Sequence, residues 1–148
     1  MKSTLANTTN GRAFIDSSAW IAYFNQQEPQ HLEFIKLFKE AVGSHLLLYT
    51  SNDIVDETYT RLRYDVGRVP AQKFISYLEE ALSTKTLTQL WTIVQIQADA
   101  IKILKKYADQ ALSLTDATSA ILMKKFDIRT IFTLDSTHFS TLGFKSLP

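Results

Sequence analysis

Short apolar runs alternate with segments of helical spacing along this chain, and this alternation is what most constrains its fold. The runs show no regular exchange of apolar and polar residues, which is typical of strands buried on both faces. Strands separated by helices favour a parallel sheet with helices packed on either side. The sequence therefore predicts a three-layer α/β/α fold around a central, mainly parallel sheet of four or five strands. The runs lie at residues 12–15, 46–49, 87–91 and 128–134.

The segments between the runs carry apolar residues three and four positions apart, as amphipathic helices do. Gly43 and Gly67 supply stop signals for two of these helices. A small helix or strand at residues 139–147 completes the chain. Helices are predicted over residues 17–24, 31–42, 53–66, 70–82 and 93–111, and in the segment that bears Asp116.

A length of 148 residues indicates a single domain, large enough to bury a core without disulfides. Residues 1–11 are polar and rich in Thr and Asn, so we expect a flexible polar tail before one domain at 12–148. That tail lacks the apolar stretch of a signal peptide, and no apolar run reaches the roughly 18 residues that a membrane span needs. A cytoplasmic location is therefore expected.

The composition excludes several kinds of chemistry. There is no cysteine, which rules out disulfides, thiolate metal sites and cysteine nucleophiles. The chain also lacks a Walker-type glycine loop, an HExxH pair and a Gly-x-Ser-x-Gly elbow. A formal net charge of +1 gives no general attraction to nucleic acid, so any RNA contact requires a local patch.

Four carboxylates occupy particular places in this pattern. Asp16 and Asp135 each follow an apolar run directly. Glu57 lies in the helix after the second run, and Asp116 lies in the first turn of a later helix. Because ligands bind outside the carboxyl ends of parallel strands, we expect these acids to converge there. Converging carboxylates need a neutralising cation, for which Mg²⁺ or Mn²⁺ is suited, and such sites hydrolyse phosphodiesters.

The segments around these acids are Phe14-Ile15-Asp16-Ser17-Ser18, Ile54-Val55-Asp56-Glu57, Leu114-Thr115-Asp116-Ala117 and Phe132-Thr133-Leu134-Asp135. They resemble the successive acidic motifs of PIN-domain nucleases. Their order and spacing agree with that family from about Arg12 onwards, and the similarity is greatest to the small single-domain toxins of the VapC type. The resemblance implies a Mg²⁺- or Mn²⁺-dependent endoribonuclease, the toxin of a toxin–antitoxin pair, that forms homodimers and is inhibited by a small antitoxin protein.

The same resemblance assigns the residues of the site. Thr133 takes a position where the family favours Ser or Thr, and it would hydrogen-bond the acidic cluster as a further catalytic residue, with Ser17 as a second candidate. Residues 136–139 contain no further acid, unlike many relatives, so the number of metal ions, one or two, stays open. By motif position the metal ligands are Asp16, Glu57, Asp116 and Asp135.

Each acid taken alone also has a purely structural explanation. Asp16 is a suitable helix cap, and Asp116 is favoured near a helix N-terminus whatever its function. Asp135 suits a turn. Glu57 is able to pair with Arg61, one helical turn later. The joint occurrence of the four acids, rather than any one of them, supports the metal site.

Several other residues are open to two interpretations. Asp53 lies one turn before Glu57 and is an alternative or auxiliary ligand. His138 is either a general base or a loop anchor beside Phe139, and we favour the anchor. Basic side chains at helix ends are usually just solvated, although they are also able to contact RNA phosphates. They are Arg61, Arg63, Arg68, Lys124, Lys125 and Arg129.

Two other functions fit the four acids less well. The main alternative is a catalytically inactive PIN-like module that binds nucleic acid or protein, and retention of all four acids argues against it. A phospho-acceptor signalling domain also gathers acids and Mg²⁺ at strand ends. That class requires paired acids near the first strand, whereas Asp16 has no acidic neighbour.

Overall fold

The computed structural model describes residues 4–148 and contains one parallel sheet. Its strands, in chain order, are β1 (Arg12–Ile15), β2 (Leu47–Ser51), β3 (Leu87–Leu90), β4 (Thr130–Phe132) and β5 (Lys145–Leu147). Across the sheet the order is β3-β2-β1-β4-β5, and every neighbouring pair runs parallel. The predicted α/β/α fold is confirmed, and the sheet has five of the predicted four or five strands.

Eight α-helices and one π-helix lie before and between these strands within residues 4–148. The helix α2 (Ser17–Phe24) follows β1 closely, and α4 (Asn52–Arg61) begins directly after β2, as the sequence pattern predicts. The helices are α1 (Thr4–Thr8), α2 (Ser17–Phe24), α3 (His31–Gly43), α4 (Asn52–Arg61), α5 (Arg68–Ser83), α6 (Val94–Lys106), α7 (Leu114–Lys125) and α8 (Ser136–Thr141), and the π-helix is Leu62–Val66.

Strand β1 lies at the centre of the sheet. Its residues Ala13, Phe14 and Ile15 are fully buried, as a strand covered on both faces requires. The chain passes from β1 to β2 and β3 on one side, then returns to β4 on the other side. The carboxyl ends of β1 and β4 therefore border the point where the strand order reverses, which is where open α/β sheets bind ligands.

An aromatic cluster holds α2 against the helices on its side of the sheet. The ring of Trp20 meets the rings of Phe38, Phe74 and Tyr77 edge to face, with centroids 5.3, 5.5 and 5.8 Å apart. Trp20 is almost wholly buried. Since edge-to-face pairs add to the free energy of burial, this cluster fixes the helix that begins beside Asp16.

Two helices differ from the sequence prediction. The helix expected over residues 53–66 is α-helical only as far as Arg61, and its last turn is a π-helix that ends where the Gly67 N–H donates to the Leu62 carbonyl at 2.8 Å. The apolar spacing shows where such a segment ends but not the pitch of its final turn. Helix α6 ends at Lys106 rather than 111, because residues 107–112 turn the chain back so that α7 packs on α6.

The expected flexible tail at residues 1–11 differs in part from the structure. Residues 1–3 lie outside the described residues. Thr4–Thr8 form α1, from which Leu5 and Ala6 pack against the core. Among the described residues, none of the helices has the length and apolar character needed to cross a membrane.

Candidate active site

Asp16 lies at the carboxyl end of β1, directly beside β4. Its backbone N–H donates to the Phe132 carbonyl at 3.0 Å, which extends the pairing of the two strands by one residue. Its side chain is only 2% exposed and caps α2 by accepting the Ser17 N–H at 2.8 Å. The capping interpretation is therefore confirmed. Capping does not require burial, so the burial of Asp16 distinguishes it from an ordinary helix cap.

Two hydroxyl groups hold the other oxygen of Asp16. Thr133 Oγ1 donates to Asp16 Oδ2 at 2.8 Å, and Ser18 Oγ donates to the same oxygen at 3.1 Å. Ser18 Oγ also accepts the Leu134 N–H at 2.9 Å, and Thr133 Oγ1 accepts the Asp135 N–H at 2.9 Å. Thr133 thus donates to Asp16, one of the predicted acids, and Ser18, not the Ser17 side chain, is the hydroxyl of α2 that contacts the same oxygen.

The environment of Asp16 opposes its ionisation. Burial, and to a lesser extent the nearby carboxylates of Asp116 and Asp135, raise the pKa of Asp16 to about 7, against the lowering effect of the hydrogen bonds from the Thr133 hydroxyl and the Ser17 N–H. An acid that is isolated from water and surrounded by like charge favours its neutral form. Two of the other predicted acids, Asp116 and Asp135, therefore act electrostatically on Asp16 at this edge of the sheet.

Asp116 lies in the first turn of α7 and forms a capping box with Ser113. The Asp116 N–H donates to Ser113 Oγ at 2.9 Å, and the Ser113 N–H donates to Asp116 Oδ2 at 3.0 Å. His138 on α8 brings its Nδ1 atom to 3.3 Å from the same Oδ2 atom. Asp116 is therefore held in place by the capping box of its own helix, and His138 lies close to this acid in addition to lying beside buried Phe139.

Glu57 and Asp135 are less constrained. Glu57 is half-buried on α4, and within the described residues its side chain forms neither a hydrogen bond nor an ion pair. The alternative ion pair between Glu57 and Arg61 is absent from that part of the chain. Asp135 is exposed at the start of α8 and makes no side-chain capping bond. Both carboxylates are therefore free to bind a ligand.

Asp53 connects two helices that each carry one of the predicted acids. Its Oδ2 atom accepts hydrogen bonds from Thr92 Oγ1 at 2.7 Å and from Thr118 Oγ1 at 3.0 Å. Thr118 is on α7, two residues after Asp116, so Asp53 connects α4 to the helix that carries Asp116. The sequence marked Asp53 as an alternative ligand, but the two threonines were missed because nothing in their local pattern distinguishes them from other helix and loop hydroxyls.

Carboxylate and hydroxyl oxygens are the ligands that hard divalent cations prefer. The buried carboxyl group of Asp16, with two further acids acting on it, fits such a cation because nearby positive charge favours its ionised form. Across residues 4–148, however, no three His, Asp or Glu side chains are clustered closely enough to hold a metal ion. The oxygen atoms of these side chains are of the type that Mg²⁺ or Mn²⁺ prefers, but within the described residues they are not already arranged around one metal position.

Comparisons with known proteins agree with this geometry. The family model for the PIN domain matches residues 13–145. Ribonuclease VapC26 of Mycobacterium tuberculosis is 32% identical over 133 residues, which span 86% of this chain and 90% of that protein. The 23S rRNA-specific endonuclease VapC20 of the same species is 28% identical over 131 residues, spanning 88% of this chain and 94% of that protein.

The fold comparison leads to the same family. The crystal structure of Mycobacterium tuberculosis VapC20, described as a sarcin-ricin loop cleaving toxin, has a TM-score of 0.78 and 22% sequence identity, covering 92% of this chain and 99% of that one. At that identity the likeness concerns the fold alone. Together with the match of the family model over most of the chain, it leads to one conclusion. This chain belongs to the PIN-domain family.

Proposed function

We propose that this protein is a divalent-metal-dependent endoribonuclease that hydrolyses RNA phosphodiester bonds at the carboxyl edge of its sheet. The observation that carries the proposal is the Asp16 carboxylate, buried where the strand order reverses and raised in pKa to about 7 by burial and by two neighbouring acids. Acids with strongly perturbed pKa values are concentrated at functional sites. The ribonuclease and endonuclease names of the two relatives support the same activity.

The four acids Asp16, Glu57, Asp116 and Asp135 are the proposed ligands of Mg²⁺ or Mn²⁺. When bound, such an ion supplies positive charge that stabilises the charge developing on the phosphoryl oxygens and activates water. Because these carboxylates are not clustered in residues 4–148, we expect the exposed Asp135 and the half-buried Glu57 to move towards Asp16 on binding. The unpaired state of both side chains permits that movement.

The other residues of the site position the acids. Thr133 and Ser18 orient the Asp16 carboxylate through the hydroxyl contacts at 2.8 and 3.1 Å. Ser113 holds Asp116 through the capping box, and His138 Nδ1 lies 3.3 Å from the same carboxylate. An orientation fixed before substrate binds lowers the reorganisation that the reaction requires. Thr133 is therefore proposed to assist catalysis by holding Asp16, as the family resemblance implies.

We further propose that the protein acts as the toxin of a toxin–antitoxin pair in the cytoplasm, forms homodimers, and is inhibited by a small antitoxin protein. The description of the VapC20 structure as a toxin supports this assignment. Light scattering of the purified protein checks the dimer, and a monomer at micromolar concentration contradicts it. Co-expression with the product of a small neighbouring gene, followed by co-purification, checks the antitoxin.

The substitution Asp116→Asn tests the nuclease. We expect loss of Mg²⁺- or Mn²⁺-dependent RNA cleavage by about 100-fold or more, with an unchanged circular dichroism spectrum, because the amide keeps the size but not the charge of a ligand. EDTA should abolish the activity of the parent protein. Full activity of the variant, or activity that EDTA leaves intact, contradicts the mechanism.

One observation favours a second candidate, a PIN-like module that binds nucleic acid or protein without catalysis. The described residues contain no ready-made cluster of metal-binding side chains. Calorimetric titration with Mn²⁺ separates the two candidates. Mn²⁺ binding to the parent that disappears in Asp116→Asn supports the enzyme, and its stoichiometry distinguishes one metal ion from two. Absence of Mn²⁺ binding to the parent supports the inactive module.

A further inference from the structure

The arginines of this chain are unevenly placed. Of the five in the sequence, three lie within the eight residues 61–68. The other two are engaged: Arg12 donates to the Phe126 carbonyl at 2.6 Å, and Arg129 pairs with Asp127 at 3.2 Å. The three in the segment are Arg61, Arg63 and Arg68.

All three of these arginines are exposed, and their side chains have no hydrogen-bond or ion-pair partner among residues 4–148. Asp65 is the only acid in the segment, which therefore carries three positive charges and one negative charge, a net +2. The whole chain has a net charge of only +1. Segment 61–68 is thus a local basic patch in a chain that has no general basic field.

An aromatic side chain lies among these charges. Tyr64 is 83% exposed, although tyrosine normally covers much of its ring. Leu62, two residues before it, is fully buried and anchors the π-helix to the core. The anchored backbone therefore presents the Tyr64 ring to solvent from a supported turn, and π-helical turns occur frequently at functional sites.

The patch continues the helix that leads away from the site. Helix α4 starts at the carboxyl end of β2, and Glu57 and Arg61 lie four residues apart on one face of it. The ten residues of α4 span about 15 Å from that edge of the sheet to the start of the patch. A strand of RNA bound at the acids is therefore able to follow this face outwards.

We propose that segment 61–68 binds the single-stranded RNA that flanks the scissile bond, a proposal that rests on the ribonuclease function and adds a substrate-binding surface to it. The three arginines contact phosphates, which give affinity without sequence preference. Tyr64 stacks on an unpaired base, for which every base offers a π-face. Single-stranded RNA is the fitting partner because bases within a duplex are not available for stacking.

The test measures binding without cleavage. Fluorescence anisotropy with a labelled single-stranded RNA is recorded in EDTA at several salt concentrations. We expect the triple variant Arg61→Gln/Arg63→Gln/Arg68→Gln to bind more weakly and to lower the slope of log affinity against log salt by about 2, because each phosphate contact on a single strand contributes about 0.7. The matched control Lys102→Gln/Lys105→Gln/Lys106→Gln removes the same charge from exposed positions on α6 and should keep the parent slope.

The stacking contact has its own pair of variants. Tyr64→Ala should weaken binding about tenfold, within the range measured for loss of one base–aromatic stack. Tyr64→Phe keeps the ring and should bind like the parent. Because these side chains are exposed, thermal unfolding should change little in any of the variants.

The outcomes separate this inference from the proposed function. Asp116→Asn should lose cleavage yet keep RNA binding in EDTA, whereas the arginine variant should lose binding. If the parent binds RNA through the patch but never cleaves it, the nuclease is wrong and the binding surface stands. If the arginine variant binds RNA with the affinity and salt slope of the parent, the inference is overturned and a protein partner becomes the alternative for the patch. Failure of the parent to bind the RNA overturns the inference as well.

Discussion

Thr133 Oγ1 donates a hydrogen bond of 2.8 Å to Asp16 Oδ2, so that a residue after β4 holds the acid after β1. This bond lowers the pKa of Asp16 against the larger effect of burial. The hydroxyl itself is held by the Asp135 N–H, and the Thr133 N–H donates to the Leu147 carbonyl at 3.0 Å. The positions of β1, β4 and β5 therefore determine where the hydrogen-bond donor to Asp16 lies.

We predict that Thr133→Val raises the pKa of Asp16, because it removes a donor that favours the ionised carboxylate. Thr133→Ser keeps the hydroxyl and should keep the pKa close to that of the parent. Carboxyl carbon NMR of both variants in EDTA measures the shift directly. We also expect Thr133→Val to reduce RNA cleavage near neutral pH more than Thr133→Ser does, and equal pKa values in the two variants contradict the prediction.

The raised pKa of Asp16 predicts that its contribution to stability depends on pH. Between the unfolded value of 3.8 and about 7, the folded protein keeps the proton that the unfolded chain has released. Stability from this group is thus fully present below pH 3.8 and is lost as the pH rises through about 7. The whole change is about 4 kcal/mol, since one pKa unit corresponds to about 1.4 kcal/mol.

Urea unfolding of the parent and of Asp16→Asn, in EDTA at pH 5 and pH 8, isolates this contribution. The amide does not titrate, so the variant should gain stability relative to the parent on going from pH 5 to pH 8. Asp135→Asn, at an exposed acid, is the matched control and should show a much smaller change. An unchanged difference between parent and Asp16→Asn at the two pH values shows that Asp16 ionises normally.

Metal binding should release a proton in a pH-dependent manner. A cation favours the ionised form of Asp16, so binding below about pH 7 must expel the proton that burial retains. We expect Mn²⁺ titrations in two buffers of different ionisation enthalpy to show close to one more proton released at pH 6 than at pH 8.5. This difference should vanish in Asp16→Asn, and its persistence there assigns the proton to another group.

Asp53 is predicted to support the site through the helix that carries Asp116. Asp53→Ala removes the acceptor shared by Thr92 and Thr118, and we expect a loss of about 2 kcal/mol in the free energy of unfolding. RNA cleavage should fall about tenfold because small displacements of reacting groups are costly. Asp56→Ala, an exposed acid on the same helix, should leave both quantities unchanged.

Urea unfolding and hydrogen exchange of the first turn of α7 measure this effect. Asp53→Asn retains one side-chain oxygen and should recover part of both losses. Faster exchange at Asp116 and Ala117 in Asp53→Ala, but not in Asp56→Ala, identifies a local loosening of α7. If hydrogen exchange and activity in Asp53→Ala match those of the parent, the hydrogen bonds of Asp53 to Thr92 and Thr118 do not position Asp116.

Much of the fold follows from local patterns. Fully apolar runs predicted β1 and β2, and residues that favour caps predicted where α2 and α7 begin, because those signals depend on neighbours in the sequence. Likewise Asp16 stood out because it follows a buried run directly. Strand pairing could not be predicted in the same way, because no residue near β4 in the sequence indicates that this strand pairs with β1.

What escaped prediction depends on contacts between distant parts of the chain. Ser18 contacts Thr133, 115 residues away, and Asp53 contacts Thr118, 65 residues away. Helical spacing identifies the faces of such helices but not which hydroxyl will meet a carboxylate. The π-helical turn before Gly67 escaped for a related reason, because its pitch depends on how Leu62 fits the core.

During synthesis, the central strand β1 is made long before its neighbour β4. Asp16 is among the first residues of the sheet to leave the ribosome, whereas the strand that supplies its partner lies more than a hundred residues later. Contacts at such separations form slowly because a long loop must close first. A growing chain that ends before β4 therefore has the Asp16 carboxyl group without its hydroxyl partner Thr133.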